Sequence, residues 1–314
     1  MGIPISKQIK RFIFRLSLIT IILLFFDLGI GTLLKLYYYR EKSGQSFSTT
    51  YAIDSVNTDI LIFGSSRAIH HYIPKVFQDS LGLSVFNIGR DGSFLLYNYA
   101  VFKAISKRYH PKLIIFDITP EEITRETTSY DRLSVLLPYY QDHPEIRATI
   151  NLRGPFEMIK RISSIYPYNS AILSIIKGNI SHFNTKNSEM KGYIPISKII
   201  KNKKIGTLDI GKLKNETNTD KNKIAAIKNM IEVCKKSGIK IIFVQSPMYI
   251  RKLDYYFNPQ FSKLCSDNEV QYFNLSNHFF FLEHPEFFAD KNHLNNEGAI
   301  LFSKLLITKI KLTI

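Results

Sequence analysis

The chain has 314 residues, enough for one large domain with an appendage or two modest domains. Its 45% hydrophobic and 13% aromatic content suits a packed core and excludes wholesale disorder. With 42 Lys+Arg against 26 Asp+Glu the formal net charge is +16, yet no basic–aromatic interleaving or nucleic-acid module accompanies it, so no nucleic-acid partner is expected.

The first element is "LSLITIILLFFDLGIGTLL", residues 16–34, whose 19 positions carry one charge, Asp27. At about 1.5 Å per residue it spans about 28 Å, close to a bilayer core. Lys7, Lys10, Arg11 and Arg15 precede it and put the N-terminus inside, although Lys35, Arg40 and Lys42 follow on the other side. A cleaved signal peptide is the rival reading, but the run exceeds a usual h-region and no clear small-x-small site follows. Tyr37, Tyr38 and Tyr39 suit an interfacial belt. Asp27 either sits near the outer end or contacts a partner helix. The expected layout is a cytoplasmic segment at 1–15, a signal anchor at 16–34, a linker at 35–55 and a body at 56–314 outside the cytoplasm. The anchor is expected to project from the body as an isolated helix.

In the body, short apolar runs recur: "DILIFG" (59–64), "LSVFNIG" (83–89), "KLIIFDI" (112–118), "IKIIFVQ" (239–245) and "VQYFNL" (270–275). Helical patterns separate them, among them "YNYAVFKAISKRY" (97–109) and "KNKIAAIKNMIEVCKKSG" (221–238). The second aligns Ile224, Ile227, Ile231 and Cys234 on one face and stops at Gly238. Continuous apolar strands alternating with helices predict a five-stranded parallel sheet covered on both faces, with ligands at the carboxyl ends of the strands. Residues from about 120 to 220 break the rhythm with Pro-interrupted helices and form an insertion between the third and fourth strands. From Lys177 to Lys228 there are 12 lysines and four acids, a net of +8, which reads as a solvated basic segment near acidic polymer or lipid head groups. Cys234 and Cys265 lack metal-ligand spacing, and Cys234 reads as core.

Three blocks carry chemistry. "FGSSRA" ends the first strand on Gly64-Ser65-Ser66, where a serine serves either as a helix cap or as a nucleophile beside free N–H groups. "NIGRDGS" (87–93) follows the second strand. "DKNHLNNEG" holds Asp290 and His293 three apart at a turn into the last helix, so both side chains can face the same way. An Asp so placed fixes an imidazole tautomer, and the His takes a proton from serine; the plainer reading is a capping Asp and a surface His.

Together these blocks resemble the SGNH/GDSL hydrolase superfamily. The resemblance implies a flavodoxin-like doubly wound sheet, to which the residues themselves add the helical insertion and the N-terminal transmembrane helix. It implies Ser66 as nucleophile, His293 and Asp290 completing the triad, and the N–H groups of Ser66 and Gly92 as the oxyanion hole. Ser65 stands where the family has Asp. The third block departs from the pattern: "FDITPEEI" puts Glu121 where an Asn normally donates to the oxyanion. A carboxylate there would repel developing negative charge, and losing one such donor costs about 10²–10³ in rate. Arg67, Arg90 and Asn98 are the candidate substitutes, and Glu121 is expected to turn away.

Loss of that Asn, with one anchor and an outward domain, is similar to the D-alanyl transfer protein of teichoic acid assembly and the alginate O-acetylation proteins, and "KGYIP" (191–195) resembles a segment of such proteins. The implied function is a serine esterase or O-acyltransferase on the outer face of a bacterial cytoplasmic membrane. Its substrates would be an acyl donor and an envelope or exported glycan, with a membrane-bound O-acyltransferase as partner. No metal or organic cofactor is implied. The alternative is a non-catalytic tethered scaffold of a polysaccharide assembly complex, favoured by Glu121 and Asp27.

Overall fold

The computed structural model describes residues 7–180, 190–201, 204, 206–207, 219–251 and 259–312. Five strands, β1 (Ile60–Phe63), β2 (Val85–Asn87), β3 (Leu113–Asp117), β4 (Lys240–Gln245) and β5 (Gln271–Asn274), form one sheet in the order β2-β1-β3-β4-β5. Every pairing is parallel, with Ile62 opposite Asn87 and Ile115, and Ile115 opposite Ile242. This is a doubly wound order of the flavodoxin-like kind that the resemblance implies. The chain leaves β1 to one side for β2 and later returns to the other for β3, so a crevice opens at the carboxyl ends of β1 and β3.

The principal helices are α1 (Lys7–Arg40), α2 (Gly44–Asp54), α3 (Ser66–His71), α4 (Pro74–Leu81) and α5 (Leu95–Arg108). They continue with α6 (Ile172–Ile180), α7 (Lys221–Lys236), α8 (Pro259–Asp267) and α9 (Asn296–Lys311). Side chains alternate across the central strands because the strand period is two. Leu61, Phe63, Ile114, Phe116 and Phe243 enter a core shared with α5 and α7. Ile60, Ile62, Leu113, Ile115 and Ile242 enter a second core with α4 and α9. Covering both faces is what makes β1 and β3 wholly apolar up to Asp117. Each such buried Phe or Ile stabilises the sheet by about 1.5–3 kcal/mol. Both cysteines are buried and free.

Between β3 and α7 the described residues of the insertion form short 3-10 and α-helical turns. Arg132–Tyr139 contains Pro138, and Leu133, Leu136, Ile146 and Ile150 join the α5 side of the core. The basic run lies partly outside the described residues. The "KGYIP" stretch straps the open edge of β2: Asn87 N–H donates to Lys191 O (2.9 Å), and Ile194 N–H donates to Ile69 O (2.9 Å). Gly192 passes so close that an added Cβ would sit 1.8 Å from Asn87 O. That contact covers one edge of the sheet.

The N-terminal region departs from expectation in three ways. The helix is 34 residues long, about 51 Å, and its apolar side chains from Ile9 to Leu28 are largely exposed. It is long and apolar enough to cross a membrane. It does not stand apart from the body, since Gly31 and Tyr38 are buried against the insertion. The tyrosines read as a belt are partly structural: Tyr38 is 3% exposed, and its hydroxyl meets that of Tyr139 at 3.0 Å. Tyr39 donates to Pro138 O (3.1 Å). Residues 35–55, read as a linker, are mostly helical, being the end of α1 and all of α2.

Candidate active site

β1 stops where it does because Gly64 turns the chain at φ 143°, a backbone angle that strains any L side chain. An added Cβ would lie 2.8 Å from Asp117 O and 2.9 Å from the Ala68 Cβ, so the turn is pressed between β3 and α3. Ser65 occupies the cap position of α3 but makes no side-chain capping bond. Ser66 opens the helix, and its Oγ lies 2.8 Å from His293 Nε2. On the other side of the ring, Nδ1 lies 3.0 Å from both carboxylate oxygens of Asp290. An imidazole protonated on Nδ1 donates to Asp290 and leaves Nε2 to accept from the serine hydroxyl.

Local hydrogen bonds preset this arrangement. Asp290 Oδ1 also accepts from the N–H groups of Asn292 (2.8 Å) and His293 (3.0 Å), folding the D-x-x-H segment into one tight turn. Partial burial pushes the Asp290 carboxyl up, but the Asn292 N–H and the His293 ring outweigh it and hold the pKa below the usual range. Asn295 then caps α9 by accepting from Gly298 N–H (3.0 Å) and ties back to Glu286 O (2.6 Å). Gly298 is required by space, since a Cβ would lie 2.3 Å from Phe287 O.

A second histidine, not singled out from the sequence, joins the Asp290–His293 turn to α3. His71 is fully buried, and its Nε2 accepts the backbone N–H of Leu294 (2.9 Å). Nδ1 therefore carries the proton and donates to Ser246 Oγ (2.9 Å). Burial, reinforced by the charge of Arg67, drives its pKa well below the ordinary value, so it stays neutral. His71 sits on the same helix as Ser66, and its bond to Leu294 fixes His293 over the serine. No local pattern marks such a contact between residues 71 and 294.

The second block closes the opposite wall. Asn87 donates to Ala68 O (2.7 Å) and Tyr72 O (3.0 Å), binding the end of β2 to α3. Arg90 N–H donates to Gly64 O (3.2 Å), and Asp91 lies 3.8 Å from His70, whose ring packs edge-on against His293. Gly92, in that same turn, has φ 61°. The Arg132 guanidinium reaches over it from the insertion, its Cζ 3.5 Å from where a Gly92 Cβ would be. Arg132 is exposed and has no ion pair among the described residues.

The side chains expected to substitute for the missing Asn all have partners in the scaffold. Arg67 is buried and donates to Asp117 Oδ1 (2.5 Å), with Tyr72 donating to Asp117 Oδ2 (2.6 Å). Arg90 donates to Gln45 O (2.6 Å) and Thr49 Oγ1 (2.8 Å), which fastens α2 to the site wall. Asn98 accepts from Gly64 N–H (3.3 Å) and donates to Phe94 O (3.1 Å). All three brace the scaffold around Ser66, and the one cation left at Gly92 among these residues is Arg132.

The Glu121 backbone belongs to a 3-10 turn, Pro120–Ile123, but its side chain lies outside the described residues. The neighbouring carboxylate, Glu122, faces inward. Glu122 Oε2 is buried without a hydrogen-bond partner. Burial lifts its pKa to about 7 against the pull of Arg67 and Lys223. Among the described residues no cluster of His, Cys, Asp and Glu has the makings of a metal site.

No protein-family model matches this chain, and no curated protein sequence does. Solved structures do match. One, described as a "putative acylhydrolase" from Bacteroides fragilis, is 10% identical with a TM-score of 0.37, covering 86% of this chain and 99% of its own. Another, described as a GDSL-like lipase from Bacteroides thetaiotaomicron, is 12% identical with a TM-score of 0.35, covering 85% of this chain and 100% of its own. Likeness at this level says nothing of what this chain acts on.

Proposed function

We infer that the chain is a serine esterase or O-acyltransferase of the SGNH type, held by α1 in a bacterial cytoplasmic membrane with its body outside. The observation that carries this reading is the continuous Ser66–His293–Asp290 relay, with a hydrogen-bonding distance at each junction. In the first half-reaction the Ser66 oxygen attacks the acyl carbonyl while its proton passes to His293 Nε2. Asp290 stabilises the imidazolium through Nδ1–H. As the tetrahedral adduct collapses, the carbon–oxygen bond to the leaving alcohol breaks and the same proton goes to that oxygen. The acyl-serine is then attacked by water in an esterase or by a sugar hydroxyl in a transferase. His293 removes the attacking proton and returns it to Ser66.

The oxyanion would be held by the N–H groups of Ser66 and Gly92, with the Arg132 guanidinium supplying charge that the third block lacks. Preorganised donors of this kind lower the barrier by about 2.7–4 kcal/mol each. The acceptor favoured is an envelope glycan, because the anchor and its basic flank at Lys7, Lys10, Arg11 and Arg15 support an outward-facing body.

A fluorophosphonate probe tests the reading on the full chain in detergent. Labelling is expected with the native protein and with Ser65→Ala, and none with Ser66→Ala. A native protein that stays unlabelled while folded would instead support a tethered scaffold.

A further inference from the structure

The anchor and the insertion meet at a depth that has a consequence for the body. Asp27 lies within the apolar run 16–34, seven residues before its end, which is about 10 Å along the helix. Its Oδ1 accepts from Ser163 Oγ (2.5 Å) and its Oδ2 from Ser164 N–H (2.6 Å). One turn on, Gly31 leaves room for Ser164, whose carbonyl carbon and Cβ would both lie 2.5 Å from an added Cβ. The helix thus lacks a side chain where the insertion presses against it. Further along, Asn179 of α6 donates to Tyr37 O (3.0 Å), so the end of α6 is level with the end of the anchor.

The residues around these contacts point apolar side chains outward. Phe156, Met158, Ile159 and Ile162 are 65%, 74%, 62% and 72% exposed, and Leu173 and Ile176 of α6 are 74% and 48% exposed. A short segment that turns that much apolar surface to solvent beside an apolar anchor is continuous with the lipid-facing side of that anchor.

We propose that residues 155–176 form a membrane-dipping element, docked on α1 through Asp27 and Gly31, that seats the body on the outer leaflet of the bilayer. This rests on the reading of α1 as a membrane anchor. If the apolar run fills the hydrocarbon core, a segment bonded to Asp27 lies within the leaflet, and its outward apolar side chains meet acyl chains. The depth matches that of interfacial helices, which bury an apolar face about 5–10 Å into the boundary region. The Asp27 bonds also give an intramembrane carboxylate the partners that such a group requires. The site of Ser66 is then held at a set height above the lipid surface.

The test uses the full chain in vesicles of phosphatidylethanolamine and phosphatidylglycerol, with no other protein present. Single cysteines replace Ile162, Leu23 or Lys236 and carry an environment-sensitive fluorophore; native Cys234 and Cys265 are buried. Spin labels on lipid acyl chains should quench the probe at Ile162 and at Leu23 several-fold more than at Lys236, and aqueous iodide should show the reverse order. Quenching by lipid at Leu23 together with iodide access at Ile162 would overturn the dipping element and leave the anchor standing. Iodide access at Leu23 would overturn the anchor, and the element with it. A second variant, Asp27→Leu, should lower lipid quenching at Ile162 while leaving Leu23 unchanged; no change at Ile162 would overturn the docking role of Asp27.

Discussion

The strand ends and the anchor seam each bring a serine and a carboxylate together, and of the two only the first has an imidazole between them. At the strand ends, His293 stands between Ser66 and Asp290, with 2.8 Å to one and 3.0 Å to the other. At the anchor seam, Ser163 donates straight to Asp27 at 2.5 Å. The direct bond is inert, because the carboxylate is too weak a base to hold the serine proton through a reaction. An interposed imidazole changes that, since its basicity near neutral pH lets it take the proton and give it back. The His293 and Asp290 side chains are partly exposed to solvent, whereas the second pair locks two segments together.

The largest effect should come from breaking the relay. Asp290→Asn should lower kcat by about 10⁴-fold in an ester hydrolysis assay, by favouring the wrong tautomer of His293. Asp27→Asn should leave kcat in detergent within about two-fold; an equal loss from both would erase the contrast drawn between the two pairs.

Stability should respond next. Arg67 and Asp117 are 5% and 0% exposed at the side chain, so Asp117→Ala strands a buried guanidinium and should cost about 3–5 kcal/mol in urea unfolding. The pair replaced together by Met and Leu should recover most of that loss. Arg132→Gln, exposed and outside the core, should leave stability unchanged and lower kcat by about 10²-fold. A loss of stability without loss of kcat would make Arg132 a structural residue.

The smallest expected effect is a pH slope. His71 has a folded-state pKa well below its unfolded value, so the unfolded chain binds the extra proton. Its contribution is therefore present above about pH 6.5 and declines as pH falls from there toward the folded-state pKa. Stability should drop by up to about 1.4 kcal/mol per pH unit below that point from this residue alone. In His71→Asn the slope should be shallower, whatever that variant's absolute stability.

The strands were readable because Val, Ile and Phe runs such as "LIIF" need both faces buried, and their alternation with helices provides that in a parallel sheet. The last block was readable because its chemistry is local: Asp290, His293, Asn295 and Gly298 fold into one turn and one helix start. What escaped was long-range. His71 reaches Leu294, and Arg132 crosses from the insertion to Gly92, with no periodicity or spacing to reveal either contact. Arg67, Arg90 and Asn98 looked available because sequence shows side-chain type but not the partners that claim it. The anchor looked isolated for the same reason, since an apolar run carries no mark of the Ser163–Ser164 contact at Asp27.

The most direct measurement is the mass of a trapped acyl-enzyme. The full chain in detergent is mixed with an activated acetyl ester, quenched in acid within the first turnover, and digested. One acetyl group is expected on the peptide containing Ser66, present in Ser65→Ala and absent in Ser66→Ala. Acetyl groups found only on lysines, or an adduct that survives in Ser66→Ala, would contradict the assignment of Ser66 as nucleophile.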